Sequence, residues 1–595
     1  MIWSALKAVS IIFLHKNVIS YGLNLQESIK SDLVEGFLSE SLVDEVSNSE
    51  RPLPPYFDHV EIHWFAPFLS GGGYSSEAMA FAGVFDMLDC VTSIEARAKA
   101  QTAKRSGQNP YVPINAYNLP YSVSFQISHH GDSPNQAHID GLTERDRLLI
   151  EAHLALPNQS PGGLDGRTIS DDELDKPQSV ELAGGNIILG GGSSRKKRVL
   201  QIIVCHSEPG AWHAPKPHYY TQRCPPQDNT RKAQTKRKRD KGKFEIVFSQ
   251  FRIGRTMFET DRIPSGWPSR LNFMNEVWVP TEFSRNIFVA ASVESKRLRV
   301  VSEPVDTDFY HPIDYAALNA GGEREADRQT LGRLPTTLRA LSPYTDTGAT
   351  IFLFVGKWEA RKGIRMLIRA FYSFLNGLDQ KEQDSALLVI LTSAYHSTNK
   401  FEREIQKILA EDGLATKIDS ERSKQYILLT EIPKAHMPHL YSAATALVIP
   451  STGEGWGRPH VEAMACGTPV IATSWSGPTA YLTEENGYPL RVKRMQDAVG
   501  WEGHHWAEPD EMHLVQLLKE VHNDKQHYKG IDTESSLCKK GKKAREDMVR
   551  SFSLPVFAEQ LALEIRRIER IAAENSQEKE LIESLDEENN WDDEL

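Results

Sequence analysis

Two carboxylates, Glu454 and Glu462, stand eight positions apart in the stretch STGEGWGRPHVEAMACGTPVIATSWSG, which runs from Ser451 to Gly477. The preceding ALVIPST reads as a strand, and Gly453, Gly455 and Gly457 let a backbone approach a ligand where any side chain would clash. Pro459 suits the first turn of a helix and Gly467 its end. A helix start with free N–H groups attracts an anion such as phosphate. A carboxylate beside that phosphate would be repelled, so Glu454 and Glu462 must face a neutral group rich in hydroxyls. Ionised carboxylates only accept hydrogen bonds, and each charge-assisted bond to a hydroxyl is worth about 1.5 to 3 kcal/mol. A nucleotide-activated sugar supplies hydroxyls at both ends and a diphosphate between them. The competing reading is a solvated carboxylate beside an ordinary helix.

The loop GKWEARKG offers the counter-charge. Lys357 and Lys362, five positions apart around a strand-to-helix turn, can both reach a diphosphate, although surface lysines at a helix start would look the same. His206 follows the apolar run from Val199 to Val204, where a buried parallel strand presents a ligand-facing side chain at its carboxyl end. His213 and His218 come next, but intervening prolines and irregular spacing argue against a metal set, and no metal site is expected.

These residues need elements to hold them. DHVEIHWFAPFLSGGGYSSEAMAFAGVF reads as a strand, a glycine loop from Gly71 to Gly73 and an amphipathic helix, the opening of a nucleotide-type α/β domain. TIFLFVGKWEARKGIRMLIRAFYSFL repeats that order, and ALLVILTSAY, QYILLTE, ALVIPST and TPVIATS are short apolar runs separated by helical patterns. The expectation is an α/β chain with an N-terminal Rossmann-like domain over 55–312, a linker over 313–347 and a second Rossmann-like domain over 348–545. A helix over 546–573 and an acidic tail over 574–595 follow, and insertions near 157–198 and 225–243 interrupt the first domain. Ligands should bind in the cleft between the carboxyl ends of the strands.

The chain has 595 residues, 40% hydrophobic and 25% charged, enough to bury more than one core. A formal net charge of -12 argues against a protein whose general business is nucleic acid. The basic run RKAQTKRKRDKGK, from Arg231 to Lys243, lacks interleaved aromatics and reads as a solvated loop rather than a nuclear address or a nucleic-acid contact. Cys90, Cys205, Cys224, Cys466 and Cys538 are scattered without metal-ligand spacing and their odd number leaves at least one unpaired, so neither a disulfide framework nor a zinc site can be read from them. Residues 1–22 carry a lysine and then the apolar run Ala8 to Leu14, too short to span a bilayer but within the range of a signal-peptide core or anchor; a buried N-terminal strand or helix would carry the same pattern. The final DDEL resembles the tetrapeptide that retains soluble proteins in the endoplasmic reticulum, with Asp592 where Lys or His is usual. The two ends together point to the endoplasmic reticulum lumen or membrane, the alternative being cytoplasmic, and Asn158 in NQS would then be a glycan acceptor.

PSTGEGWGRPHVEAMACGTPVIAT, with seven residues between Glu454 and Glu462, resembles the signature of the family-four type (group 1) of retaining glycosyltransferases of GT-B fold, which use nucleotide sugars. FVGKWEARKG, NEVWVPTEFSRNIF, PVDTDFYHP and MPHLYSAATALVIPS resemble further segments of that family in the same order. The resemblance covers Gln201 to Leu490 apart from the insertions and, more loosely, Val60 to Gly73. It implies two Rossmann-like domains facing a central cleft, with a C-terminal helix crossing back to the N domain. It also implies transfer of a hexose from a UDP- or GDP-sugar to an acceptor hydroxyl, with retention and without a metal or other cofactor. Glu454 would contact the donor sugar near the reacting carbon and Glu462 the ribose, while Lys357 and Lys362 would bind the diphosphate. Arg is commoner in the family at the first of these two positions, so a point charge replaces a bidentate clamp there. Gly455, Trp456 and Gly457 would line the donor, Gly72 and Gly73 the facing side of the cleft, and His206 would be the active-site histidine. The acceptor, whether glycan, lipid or protein, is not indicated; peripheral membrane contact is compatible and nucleic acid is not. On the same scaffold the alternatives are a sugar epimerase, a phosphorylase, or a non-catalytic sugar-binding protein.

Overall fold

The computed structural model describes residues 55–88, 119, 121–130, 134–154, 196–212, 224–225, 245–313, 341, 344–345, 347–394, 399–414, 425–430, 432–527 and 535–592. Two parallel six-stranded sheets organise them. The first contains β1 (His59–Ala66), β2 (Ser122–His129), β3 (Lys196–His206), β4 (Glu245–Arg255), β5 (Glu276–Val279) and β6 (Leu298–Val300). Its spatial order is β2-β1-β3-β4-β5-β6. The second contains β7 (Thr350–Val355), β8 (Ala386–Leu391), β9 (Tyr426–Leu429), β10 (Ala446–Ile449), β11 (Val470–Thr473) and β12 (Tyr488–Leu490), in the order β12-β11-β10-β7-β8-β9. All pairings in both sheets are parallel. Helices on both faces of such sheets require strands that are apolar along their length, and TIFLFV in β7 and ALLVIL in β8 are buried up to their last residue.

The strand succession reverses between β1 and β3 in the first sheet and between β7 and β10 in the second. At such a switch point the two crossovers diverge to opposite faces and leave a crevice at the carboxyl ends of the strands. Gly71–Gly73 follow β1 and His206 ends β3; Lys357 and Lys362 follow β7, and the loop Gly453–Gly457 follows β10. The expected α/β architecture of two doubly wound domains in the GT-B manner is therefore present, and the candidate residues fall at its two crevices.

The helices that matter for the site are α1 (Gly73–Leu88), α2 (Glu144–His153), α3 (Ile364–Asn376), α4 (Met437–Ala443), α5 (Arg458–Ala465), α6 (Ser536–Phe552) and α7 (Leu554–Asp592). The expected single helix over 546–573 is two: Ser553 is extended (ψ 155), and Pro555 has no N–H with which to continue the ladder of α6. α7 returns to the first domain. Phe557 meets Phe81 edge-on, Arg567 grips Glu276 through bonds of 2.6 and 2.7 Å, and Arg299 bonds Glu564 at 2.7 Å. The stretch expected as an acidic tail continues α7 to Asp592, because its Glu, Lys, Gln and Leu residues favour helix whatever their net charge, and Ser576 still bonds Ser249 at 3.0 Å. An antiparallel hairpin, β13 (Val492–Asp497) with β14 (His505–Pro509), follows the second sheet.

Cys205 and Cys224 are joined in a disulfide with Cα atoms 5.6 Å apart, a pairing the cysteine spacing did not reveal because the end of β3 and the turn at Cys224 meet only in the fold. β3 begins at Lys196, within the last residues of the stretch expected near 157–198 as an insertion, and the rest of that stretch lies outside the described residues. Residues 1–22, 593–595, Asn158, His213, His218, the basic run 231–243 and most of the linker lie outside the described residues, and the endoplasmic reticulum expectation lies with the two termini. Among the described residues no helix is long and apolar enough to cross a membrane.

Candidate active site

At the second crevice Glu454 is 5% exposed and gripped by the loop after β7. Lys362 Nζ donates to its two carboxylate oxygens at 2.8 and 2.7 Å, and Arg361 Nη1 donates to Oε2 at 3.2 Å and to the Gly453 carbonyl at 2.6 Å. Burial alone would raise the pKa of Glu454; the charges of Lys362 and Arg361 outweigh it and hold the group at about 2. Gly363 makes this approach possible: its φ is +72°, and a β-carbon there would overlap the Pro450 carbonyl at the end of β10. Gly457, at φ +110°, caps α5 with no side-chain hydrogen bond; Pro459 has no N–H and the His460 N–H donates to the Gly457 carbonyl at 3.0 Å, so the positive end of the helix dipole, with no capping side chain, lies at the loop.

Glu462 lies on α5 and has different partners. Its Oε2 accepts from Tyr441 Oη at 2.9 Å, and its Oε1 is 3.9 Å from Arg458 Nε. Burial pushes its pKa up, and Arg458 only partly opposes this. The two acids are thus not a pair: one is held anionic by cations, the other is pushed toward the neutral carboxyl among phenols.

On the facing side, Gly72 has φ +87° and a β-carbon there would stand 3.7 Å from Lys357 Nζ, so the glycine loop of the first domain and Lys357 of the second face one another. Gly73 begins α1 with open space beside it. His206 corrects the expectation of a ligand-facing imidazole. It is fully buried; Nδ1 accepts the indole N–H of Trp64 at 3.1 Å, and Nε2 donates to Glu77 at 2.9 Å. Arg255 Nε donates to the other oxygen of Glu77 at 2.6 Å. Burial would raise Glu77, but Arg255 and His206 outweigh it and lower the group. Both ring nitrogens are therefore engaged inside the first domain.

Trp456 is a second correction. It is 1% exposed and packs against Tyr481 and Phe552 at 5.0 and 5.5 Å, so it belongs to the core beneath the loop and does not line a donor. Gly453 and Gly455 are small for a reason other than a ligand: β-carbons there would overlap the Glu259 carbonyl and the Met257 sulfur. The segment 256–262 of the first domain lies directly over them. Thr260 Oγ1 is 2.7 Å from His504 Nδ1, Asp261 accepts the backbone N–H of His505 at 2.8 Å, and Glu259 lies 3.5 Å from Arg361.

Arg361, Glu77 and Arg255 were not legible as site residues. Arg361 sits beside Lys362 in the same loop and could have been found by its charge; Glu77 is a single acid on an otherwise apolar face of α1, the one sign of a buried partner. A cavity of about 40 Å³ between the domains is lined by Ser76, Gly83, Asp146, Lys434, Arg458 and Leu554. It holds a water or two rather than a nucleotide sugar, and Glu454, Lys357 and Lys362 do not line it. Among the described residues no group of three or more His, Cys, Asp or Glu is arranged to hold a metal.

Residues 343–531 match the family described as glycosyl transferases group 1. The chain is 27% identical over 202 residues to the D-inositol 3-phosphate glycosyltransferase of Acidothermus cellulolyticus, covering 34% of this chain and 38% of the relative. It is 32% identical over 122 residues to the O-antigen chain mannosyltransferase B of Escherichia coli, covering 20% and 28%. The chain thus spans well under half the length of the curated relatives it matches. Among solved structures, Anabaena Alr3699/HepE in complex with UDP and glucose is 11% identical, with 85% of this chain and 99% of that chain covered and a TM-score of 0.46.

Proposed function

Starting from a group 1 glycosyl transferase domain over residues 343–531, we propose that the protein transfers a hexose from a nucleoside-diphosphate sugar to an acceptor hydroxyl, with retention at the reacting carbon. The observation that carries this reading is the second crevice, where Glu454, Lys362, Arg361 and the uncapped start of α5 converge at the switch point. Three cationic or dipolar groups there suit a leaving diphosphate, and Lys357 adds a fourth from the same loop. Their charge is greatest in value when negative charge develops on the leaving group, the transition-state condition that makes such contacts worth about a hundredfold or more in rate. Glu454, anionic at neutral pH, then takes the sugar hydroxyls as Lys362 turns to the phosphate. Glu462 reaches the ribose as acceptor or, when protonated, as donor.

In this reading Glu454 binds and orients; no carboxylate is required as a covalent nucleophile, unlike the acid pairs of glycosidases. His206 acts through Glu77 and Arg255 as a positioning residue for α1, whose first turn carries Gly73. The lysines supply the positive charge a metal would otherwise bring, so turnover is expected to persist in a chelator. The relatives are named for an inositol phosphate and an O-antigen chain, which makes a hydroxyl-rich acceptor the class to screen; the donor class, a UDP- or GDP-sugar, comes from the sequence resemblance. The test is nucleotide release against a panel of UDP- and GDP-sugars, with Glu454→Ala as control. Release by the wild type that Glu454→Ala abolishes supports the reading; equal release by both, or none by the wild type with any donor and acceptor, ends it.

A further inference from the structure

His460, the third residue of α5, is fully buried; its ring lies beside the Gly457 backbone, which favours its protonation, and no side chain hydrogen-bonds either ring nitrogen. Leaving buried polar groups unsatisfied is destabilising, so a histidine in such a place needs a reason that packing does not supply. The ring lies directly under the glycine loop: Nδ1 is 2.5 Å from where a β-carbon on Gly457 would be, which is one reason that position is glycine. Its charged neighbours are Glu454 and Lys362. Arg361 lies one bond further, on Glu454, and the nearby Tyr481 hydroxyl is committed to the Trp456 carbonyl at 2.7 Å. Burial lowers the pKa of His460 to about 4, with Glu454 pulling it up and Lys362 pushing it down. The ring is therefore neutral while Lys362 holds both oxygens of Glu454.

A donor diphosphate changes this balance, because Lys362 spends two of its three N–H donors on Glu454, and its charge is drawn away from that carboxylate as it turns to a phosphate. We propose that His460 is a donor-responsive positioning residue: as the diphosphate takes Lys362, the His460 ring takes up a proton from solvent and replaces Lys362 as the partner of the Glu454 carboxylate. The orphaned ring nitrogens are then used in the donor complex and spare only in its absence. This inference rests on the nucleotide-sugar reading for its ligand, but its central step, the hand-off between Lys362 and His460, can be tested without one.

Calorimetric titration of UDP-glucose and GDP-mannose, whose diphosphates do not ionise near neutrality, reads the step through buffers of different ionisation enthalpy. The expected result is uptake of up to one proton per donor bound at pH between the free ring's value of about 4 and its value in the complex, with affinity falling up to about tenfold per pH unit across that window and levelling off above it. His460→Gln keeps a donor and an acceptor but cannot titrate, so it should bind with no uptake and no pH dependence. Donor binding by the wild type without proton uptake, or uptake that survives in His460→Gln, overturns the proposal. Without any donor, imidazole resonances should show His460 titrating at higher pH in Lys362→Met than in the wild type, and an unchanged value overturns it equally. A raised value in Lys362→Met together with no binding of either sugar nucleotide would uphold the hand-off and count against the donor reading.

Discussion

The two switch points share a topology and differ in chemistry. At the second, the cations are partly accessible: the Lys362 and Arg361 side chains are 16% and 20% exposed, while their partner Glu454, within the glycine loop, is 7% exposed. At the first, His206, Glu77 and Arg255 are sealed with their side chains 0% exposed. Topology places a crevice at the carboxyl ends of both sheets, but only the second keeps its cations within reach of solvent. Partly exposed cations change partners at smaller cost than a fully buried ion pair, which costs about 3 to 5 kcal/mol to break, so the proposed function takes the first crevice as a clamp and the second as the receptor.

The contrast is most severely tested by Glu77→Ala. With Arg255 and His206 deprived of their shared carboxylate in the core and left with neutral partners, unfolding in urea should show a loss of about 3 to 5 kcal/mol, while molecules that remain folded at low temperature keep their nucleotide release within a few-fold. A variant as stable as the wild type but inactive would make the first crevice the receptor after all. Glu454→Ala should do the reverse, lowering release about 100- to 1,000-fold with the fold retained by circular dichroism. Gly453→Ala sharpens the point by leaving all charges in place. Its β-carbon would overlap the Glu259 carbonyl, so segment 256–262 cannot seat; a larger radius of gyration by scattering and about a hundredfold lower turnover are expected.

The smallest effect belongs to the ion pair that ties α2 to the second domain, Lys434 with Asp146 at 2.8 Å. Burial would raise Asp146, but Lys434 outweighs it and lowers the group. Its contribution is therefore present above the unfolded carboxylate value of about 3.9 and lost as pH falls through the lower folded value. With Lys434 partly exposed, Lys434→Ala should cost about 0.5 to 1 kcal/mol at pH 7, and the gap between the two proteins should close in acid. A gap that widens in acid would assign the stability to another group.

Much of the architecture was legible because it is local. A strand covered on both faces is apolar along its length, so β7, β8, β10 and β11 announce themselves, and the glycines after β10 and β1 mark where the chain turns into α5 and α1. Glu454 and Lys362 were recognisable for the same reason, each lying within one strand-loop-helix unit. Their meeting was anticipated only as two contacts to one ligand; that they bond each other follows from the adjacency of β7 and β10, which joins loops far apart in the chain. The roles expected for His206 and Trp456 moved for the matching reason: a residue at the end of a strand or inside a glycine loop faces a ligand only if nothing else in the fold covers it, and Trp64, Glu77, Tyr481 and Phe552 do.

The sequence by itself determined the α/β class, the order of two doubly wound units, the two glycine loops and the charged residues beside them. Periodicity, turn residues and the apolar demand of parallel strands are all written within a few neighbouring positions. Tertiary structure alone decided that Arg361 completes the Glu454 site, that His206 is sealed, that Gly453 and Gly455 receive Met257 and Glu259, and that Cys205 bonds Cys224. Each of these depends on which distant side chain arrives opposite, and a pairing made in space leaves no period in the chain.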